Sequence, residues 1–599
     1  MTASTEIKSG GIASFTVEIN GTAIADDILV YEIDIRKAIN RIPMAVITIL
    51  DGDAAGESFL NSSSSTFVPG SSVTIQAGYD NTNKTIFTGV ITKQTLKVEG
   101  EIGSALEVIC HDEAVKMIIG RKSLTFANKT DSDIISSIIG NYSGVKASVT
   151  ATTFNWPEQV QYYATDWDFI MTRAEVNGLV VNVLNGTVNV QKPDATSTPV
   201  LEILYGDNML TFNAEMDSIN QLGSVTATAW DYKTQALVTG NASNDVPGPG
   251  NIPSKKLAEV IGCNPFNIQT TAPQVSDDLN NWSSAQMIKS EFAKIRGTTK
   301  FQGSNLVDPG TYITIGGMGT RFDGNHLVSG VTHLIQDGNW VSEATIGLSP
   351  VWFTDQPDVM APPASGQLPG AQGLFNATVK QMYEDPDSQY RILVDIPLFD
   401  PNGEGIWARL TNFYSTNGAG IFFLPEVGDE VIVGFLNEDP RYPIILGSVY
   451  SGDKLPPYSE LTPNENNSQK AIVTKSQLRI VFDDEKKVMT ITTPGNNVIV
   501  LSDDEKEITI TDQNSNSIKM SESGIDLTSP KDISISADQS VSISAKAGIT
   551  IDAAESNVSV SGGQISQSAK ETYSAEGKME ASINGGEMLT MKATMVMIN

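Results

Sequence analysis

The residues that could do chemistry cluster in one stretch, "FLPEVGDEVIVGFLNEDPRYPIILGSVY", running from Phe423 to Tyr450. It carries the carboxylates of Glu426, Asp429, Glu430, Glu438 and Asp439, which raises the question of an active site. The same stretch is apolar and strand-like, and Pro425, Gly428, Gly434, Pro440, Pro443 and Gly447 punctuate it as they would a small barrel. A second candidate is "CHDEA" at Cys110–Ala114, which sets Cys, His and Asp side by side. A nucleophile and its base must converge, whereas neighbours on a strand point to opposite faces. The three histidines, His111, His326 and His333, form no zinc-ligand spacing with either cysteine. "GGMG" at Gly316 lacks the strand-to-helix setting of a phosphate loop. Two "DDEK" turns could attract Ca²⁺, but solvated turns are the simpler reading. The expectation is no catalytic residue, no metal site and no cofactor.

Composition bounds what surrounds these residues. A chain of 599 residues and 64.2 kDa is long enough for several domains. The two cysteines provide no disulfide framework and fit synthesis in a reducing compartment. "MTASTEIKSGG" shows no basic segment followed by an apolar one, so a secretory signal is not expected. With 39 basic and 70 acidic residues the net charge is −31, which argues against nucleic acid as a partner. Acidity of this size keeps the protein soluble and discourages strand-rich surfaces from pairing edge to edge.

The elements change character along the chain. The first 120 residues read as strands, since "SFTVEING" and "SSVTIQAG" alternate with period two. Helical signals follow. "TDSDIISSIIGNYSG" offers Thr130 or Asp131 as cap, with Ile134, Ile135, Ile138 and Ile139 on one face. "TDWDFIMTRAEVNG" offers Thr165 as cap, Phe169 and Ile170 as core and Gly178 as stop. A third helix is expected from near Ser283 to Gly297. "PGSSVTIQAGYDNTNKTIFTGVITKQ" from Pro69 is echoed by "PGTYITIGGMGTRFDGNHLVSGVTHLI" from Pro309, with Gly89-Val90 and Gly330-Val331 as matching pairs. Two similar β-domains flanking a helical insert are therefore expected. A Pro/Gly/Ser linker begins at Thr354, and about five strands with short turns then suit a barrel of OB type.

The last 120 residues differ again. Tyr573 is the only aromatic residue after Phe482, and no arginine follows Arg479. Apolar-x-apolar pairs recur, among them Ile508/Ile510, Ile518/Met520, Ile525/Leu527, Ile533/Ile535, Val541/Ile543, Ile549/Ile551 and Val558/Val560. From Ile508 their spacing is 10, 7, 8, 8, 8 and 9 residues. A two-residue apolar face is too small to close a core within one chain, so such strands need stacked neighbours. Three chains wrapped about one axis would bury Ile533, Ile535, Val541, Ile543, Ile549 and Ile551 in a thin core. At ~4.7 Å per layer, about twelve layers give a rod on the order of 55 Å long. A single-chain parallel β-helix is the alternative, but its coils need longer repeats.

The order of these parts resembles the VgrG spike proteins of contractile injection systems, relatives of the hub and needle of contractile phage tails. The residues that carry the resemblance are "QYYATDWDFIMTRAEVNGLVVNV" from Gln161, "FNAEMDSINQLGSVTATAWDYKTQALV" from Phe212 and "PEVGDEVIVGFLNEDPRYPIILGSVY" from Pro425, followed by the repetitive C-terminus. The resemblance implies a mainly β, multidomain chain. Its parts would be hub β-barrel domain 1 at 1–120, an α+β insert at 121–200, hub β-barrel domain 2 at 201–353, a linker at 354–373, an OB-fold domain at 374–455, a second linker at 456–477, and an intertwined trimeric β-prism needle at 478–599. Glu426, Gly428 and Asp429 would then shape a strand entry, with Pro440 and Pro443 turning the chain between strands.

The function so implied is structural and non-enzymatic. A homotrimer with two hub units per chain would imitate sixfold symmetry, meet a hexameric inner tube and baseplate proteins, and end in a puncturing needle. It would carry effectors, touch a target membrane transiently, and assemble after synthesis in a bacterial cytoplasm without a signal peptide. Some relatives carry an enzyme domain before or after the needle. Here Tyr450 to Gln477 is too short for one, and the chain is expected to stop within the prism at "GGEMLTMKATMVMIN". A separate PAAR-type tip protein is expected on the apolar end, at Met595, Met597 and Ile598. The alternative is a trimeric tailspike enzyme cleaving envelope polysaccharide or peptidoglycan. It would need two carboxylates ~5–10 Å apart and an aromatic platform for sugar, which the needle lacks.

Overall fold

The computed structural model describes residues 11–99, 103–243, 247–399, 403–452, 454–456 and 465–598. The chain is mainly β, with 40% strand and 11% helix, and divides into two compact units, 1–449 and 450–599. Most of the N-terminal stretch searched for a signal, and residues 457–464 of the expected second linker, lie outside the described residues.

The first lobe of the large unit contains β1 (Ala13–Ile19), β2 (Thr22–Ala23), β3 (Val30–Ala38), β4 (Met44–Leu50), β5 (Ser72–Tyr79), β6 (Thr82–Glu99) and β7 (Gly103–His111). Period-two alternation does the folding here. In "MAVITIL" of β4, Ala45, Ile47 and Ile49 are buried while the residues between them are half-exposed. They join Ile33, Ile35, Ile75, Phe87 and Val108 in one apolar core.

An α+β insert follows: β8 (Lys122–Thr130), α1 (Asp131–Ile139), β9 (Lys146–Val149), β10 (Asn155–Ala164), α2 (Asp166–Val176), β11 (Val180–Leu184) and β12 (Thr187–Gln191). Thr130 caps α1 in a capping box with Asp133, and the Thr165 hydroxyl caps α2 through Asp168 N. Asp131 ties the two helices together. It is buried and accepts from Arg173 Nε at 2.7 Å, Asn177 Nδ2 at 2.9 Å and Trp156 Nε1 at 3.1 Å.

The second lobe starts with β13 (Leu201–Leu204) and β14 (Met209–Met216). It is then interrupted by a further α+β piece: β15 (Ser224–Asp231), β16 (Ala236–Ser243), α3 (Ser254–Ile261), β17 (Phe266–Thr270) and α4 (Ser276–Phe292). Four strands complete it: β18 (Ile295–Gln302), β19 (Tyr312–Gly316), β20 (Gly324–Gln336) and β21 (Asn339–Ile346). The third helix therefore begins seven residues before Ser283 and ends before Gly297, which lies in β18. Its first turn carries Asp277 and Asp278, favourable at a helix N-terminus. Ser283 is an interior residue where α4 crosses β16 closely, its hydroxyl donating to Gly240 O at 3.2 Å.

The two lobes are copies of one ladder. Gly70 N donates to Ile91 O and Ile91 N to Ser71 O; Gly310 N donates to Val328 O and Val328 N to Thr311 O. Ile35–Ala45–Cys110–Ile91 form one row across β3, β4, β7 and β6. Ala214–Gly297–Ile346–Val328 form the matching row across β14, β18, β21 and β20. Both long strands shift register just past the row, between Ile91 and Lys93 and between Val328 and Gly330. The match by register corrects the one read from the Gly-Val pairs. Gly330 is the counterpart of Lys93, not of Gly89, because fewer residues separate the Pro-Gly turn from the returning strand in the second copy. The lobes are also joined, since β3 pairs antiparallel with β20 from Glu32↔Gln336 to Ala38↔Gly330. One 13-stranded sheet results.

A separate five-stranded closed barrel comes next, in the order β22 (Phe375–Gln381), β23 (Ile392–Asp395), β24 (Ile406–Leu410), β28 (Pro443–Ser448), β27 (Glu430–Phe435). A two-stranded arm, β25 (Ser415–Thr416) and β26 (Ala419–Gly420), precedes β27. Val379, Ile392, Val394, Val431, Val433 and Ile445 fill the barrel.

The small unit opens with an antiparallel meander: β29 (Gln469–Val473), β30 (Arg479–Asp483), β31 (Val488–Thr492), β32 (Val498–Ser502), β33 (Glu507–Thr511), β34 (Ser517–Ser521) and β35 (Gly524–Thr528). Both DDEK segments are hairpin links, from β30 to β31 and from β32 to β33. Within one chain, residues 529–598 form no strand.

Candidate functional site

The acidic stretch resolves into separate local contacts on the barrel. Asp429 Oδ2 accepts from Glu426 N at 2.8 Å, and Asp429 N donates back to Glu426 O, closing the turn into β27. Gly428 sits in that turn at φ +87 and donates to Val379 O at 2.8 Å. Glu430 accepts from Asn376, and Glu438 accepts from Gln372. Asp439 accepts from Arg441 Nε at 3.0 Å and Nη2 at 2.7 Å, and this contact holds its carboxyl below the usual range. Pro440 lies in the turn closed by Tyr442 N donating to Asp439 O, and Pro443 opens β28. Pro425 is buried behind the turn; Gly434 and Gly447 are strand residues of β27 and β28. Asp429, Glu430, Glu438 and Asp439 thus each have a separate partner for the side chain, and these contacts do not converge on one point.

The other candidates are equally dispersed. Cys110 points into the first lobe's core, where burial pushes its thiol up to about 12. His111, on the opposite face, has Nδ1 2.8 Å from Thr92 Oγ1. Asp112 accepts from Ala114 N and Gly186 N. His326 is buried and donates Nε2–H to Phe322 O at 2.7 Å; His333 is buried against Ser342 Oγ. A cleft of about 1530 Å³ lies between the sheet and the insert. Four of the cations that line it are ion-paired, Arg36 with Asp34, Lys37 with Asp308, Lys289 with Glu175 and Arg296 with Glu215.

What the chain does expose is an apolar repeat without strand structure and the open edges of two strands. In the small unit Ile533, Ile535, Val541, Ile543, Ile549 and Ile551 are 50–73% exposed. Met595, Met597 and Ile598 are 73–88% exposed. In the large unit, among the described residues, β14 pairs only with β18, and β6 from residue 93 onward pairs only with β7. Leu96 and Val98 are exposed on that edge of β6. Sequence reading missed both edges. The alternation in "TLKVE" marks a strand but not the lack of a neighbour.

Comparison with known proteins follows the same division of the chain. Residues 9–337, more than half of the chain, match the family described as the Alg8 N-terminal domain. The chain belongs to this family. The matched span covers nearly all of the 13-stranded sheet with its two α+β pieces, so this sheet is the Alg8 N-terminal domain here. Residues 375–450, the closed barrel, match the type VI secretion system/phage-baseplate injector OB domain. The resemblance to VgrG-type spike proteins also holds. The chain is 40% identical over 62 residues to the type VI secretion system spike protein VgrG1a of Pseudomonas aeruginosa, 10% of each chain. It is 42% identical over 53 residues to the actin cross-linking toxin VgrG1 of Vibrio cholerae, 9% of this chain and 5% of that protein. It thus spans a tenth or less of the length of these two relatives. Among solved structures, a prophage tail protein from Shewanella oneidensis aligns with TM-score 0.44 at 11% identity, covering 56% of this chain and 98% of that one. An E. coli component of the type VI secretion system aligns with TM-score 0.37 at 15% identity, covering 72% and 99%.

Proposed function

We propose that this chain is the homotrimeric hub and spike of a contractile injection machine, with a structural rather than catalytic role. The observation that carries the reading is the small unit's unpartnered repeat. From Ile533 to Ile551, apolar pairs recur every eight residues, have no strand partner in one chain and stay half or more exposed. An exposed apolar stripe of this length on a chain of −31 charge needs other chains to cover it. Burying each Ile or Val is worth about 1.5–3 kcal/mol. Three chains wound about one axis satisfy the backbone edges at the same time.

The injector OB domain match at 375–450 supports the reading of the chain as part of a contractile injection machine. The duplicated ladder supports a trimeric hub that offers six similar units to a hexameric tube and to baseplate proteins. The needle then passes through a target envelope, carries effectors, and receives a PAAR-type tip protein at Met595, Met597 and Ile598. Amide hydrogen exchange over residues 529–598 tests the reading. An intertwined prism gives amides protected for minutes or longer. Exchange at free-chain rates throughout this segment contradicts it.

A further inference from the structure

The α+β piece that interrupts the second lobe turns one face of its sheet to solvent. Its three strands lie in the order β16–β15–β17. Val225, Ala227 and Ala229 of β15 are buried on the side covered by α4, where Leu279 and Met287 join them. The alternate residues of β15 therefore face away from α4, and the register carries that face onto both neighbours. Asn241, Thr226 and Asn267 form one cross-strand row, and Thr239, Thr228 and Gln269 form the next. Trp230 beside Leu237 ends the face, 46% and 66% exposed. Tyr232 follows in the turn, which Asp231 fixes by accepting from Lys233 N at 2.9 Å and Thr234 Oγ1 at 2.7 Å.

The chemistry of this face differs from that of the chain around it. Charged residues make up 18% of the sequence and give it a net −31, yet the two rows and their aromatic end carry none. They present amides, hydroxyls and one indole. Side-chain amides donate and accept at once, and Thr226 Oγ1, donating to Asn241 Oδ1 at 2.9 Å, leaves Asn241 Nδ2 as a donor. Such a face has no cation to hold phosphates, and it is too polar for a lipid surface. A protein partner anchors on aromatic side chains near the centre of its footprint. Here the centre is amide and hydroxyl, and the aromatic side chains stand at one end. A sugar fits both parts, since its C–H face stacks on an indole while its hydroxyls pair with amides. Side chains on this grid are ~4.8 Å apart across strands and ~6.8 Å apart along them, the scale of one sugar unit.

We propose that the exposed face of β15, β16 and β17 binds a neutral polysaccharide, with Trp230 as the stacking platform and Asn241, Asn267 and Gln269 as hydrogen-bonding groups. The α4 backing holds the face rigid before the ligand arrives, which lowers the cost of ordering it. The contact is adhesive, because the rows hold no carboxylate pair to cleave a glycosidic bond. It goes beyond the spike reading and does not depend on it, since each chain carries the whole face.

Affinity electrophoresis of the full-length protein tests this, in native gels cast with dextran, laminarin, galactomannan or glycol chitin, and with anionic alginate as the control. At least one neutral polymer should retard the protein, and alginate should not. Trp230→Ala should weaken the retardation about tenfold, the order of one lost stacking contact, and Trp230→Phe should restore part of it. Asn267→Ala combined with Gln269→Ala should also weaken it, at side chains exposed on β17 and away from the core. Tyr390→Ala, at an exposed aromatic on the barrel, should change nothing. Retardation by no neutral polymer, or retardation that Trp230→Ala leaves intact, overturns the proposal. Native mass is measured on every variant, and a change of assembly state in Trp230→Ala assigns the face to a protein contact and overturns it equally.

Discussion

Thr92 and Ser329 occupy the same bulge in two copies of one ladder and make the same hydrogen bond. Thr92 Oγ1 donates to Ile109 O at 3.2 Å, and Ser329 Oγ donates to Thr345 O at 3.3 Å. Each is the residue skipped where the long strand shifts register. The copies diverge one step away, where His111 beside Thr92 corresponds to Gly347. Duplication therefore extends from backbone register to side-chain chemistry.

Equal roles imply equal costs. Thr92→Val and Ser329→Ala should each lower hub stability by about 0.5–1.5 kcal/mol, the usual worth of one such bond. Denaturant unfolding of the two variants checks this, and a tenfold disparity in the unfolding constant would show that the bulges are not equivalent.

Acid should weaken the hub through His326. Burial, opposed in part by its bond to Phe322 O, holds this imidazole down to about 4, against 6.5 in an unfolded chain. Between those values the unfolded state binds more protons, so stability falls as pH drops from about 6.5 to about 4 and levels off below. The full shift corresponds to roughly 3 kcal/mol. His326→Gln should flatten the slope of stability against pH in that window, which urea titrations at a series of pH values would measure.

The insert should depend on Asp131. Its carboxylate is buried and bonded to Arg173, Asn177 and Trp156, so Asp131→Ala leaves a largely buried guanidinium without its partner. A loss of about 3–5 kcal/mol is expected. Limited proteolysis should then cut first within residues 122–191, while the injector OB barrel stays intact.

Much of this architecture could be read from residue types whose effects are local. Thr130 and Thr165 announce α1 and α2 because a hydroxyl at the cap is the signal itself. The start of α4 was hidden because Val275, at its cap, offers no side-chain bond. The octad from Ile525 to Ile549 was visible because its period is unlike that of any single-chain element. The seam between β3 and β20 was not, because it pairs Ile35 with His333, nearly 300 residues apart, and register between distant strands is set by turn lengths rather than composition. Likewise the α+β piece around α4 was absorbed into the second lobe, since "SVTATAW" alternates as hub strands do.

If three chains wind together as proposed, position within the pair should decide tolerance. Ile543→Asp would place three charges in the proposed dry core and should prevent assembly. Ser542→Asp, one residue earlier and on the opposite face of the proposed intertwined strand, should leave it unchanged. Gel filtration of both variants distinguishes a buried Ile543 from a solvated one.

The native mass of the purified full-length protein, measured by mass spectrometry at micromolar concentration and after hundredfold dilution, tests the central claim most directly. Three chains of 64.2 kDa, about 193 kDa in total, persisting on dilution, are what an intertwined spike predicts. A stable species of 64.2 kDa would mean that the apolar repeat closes within one chain, and would contradict the account.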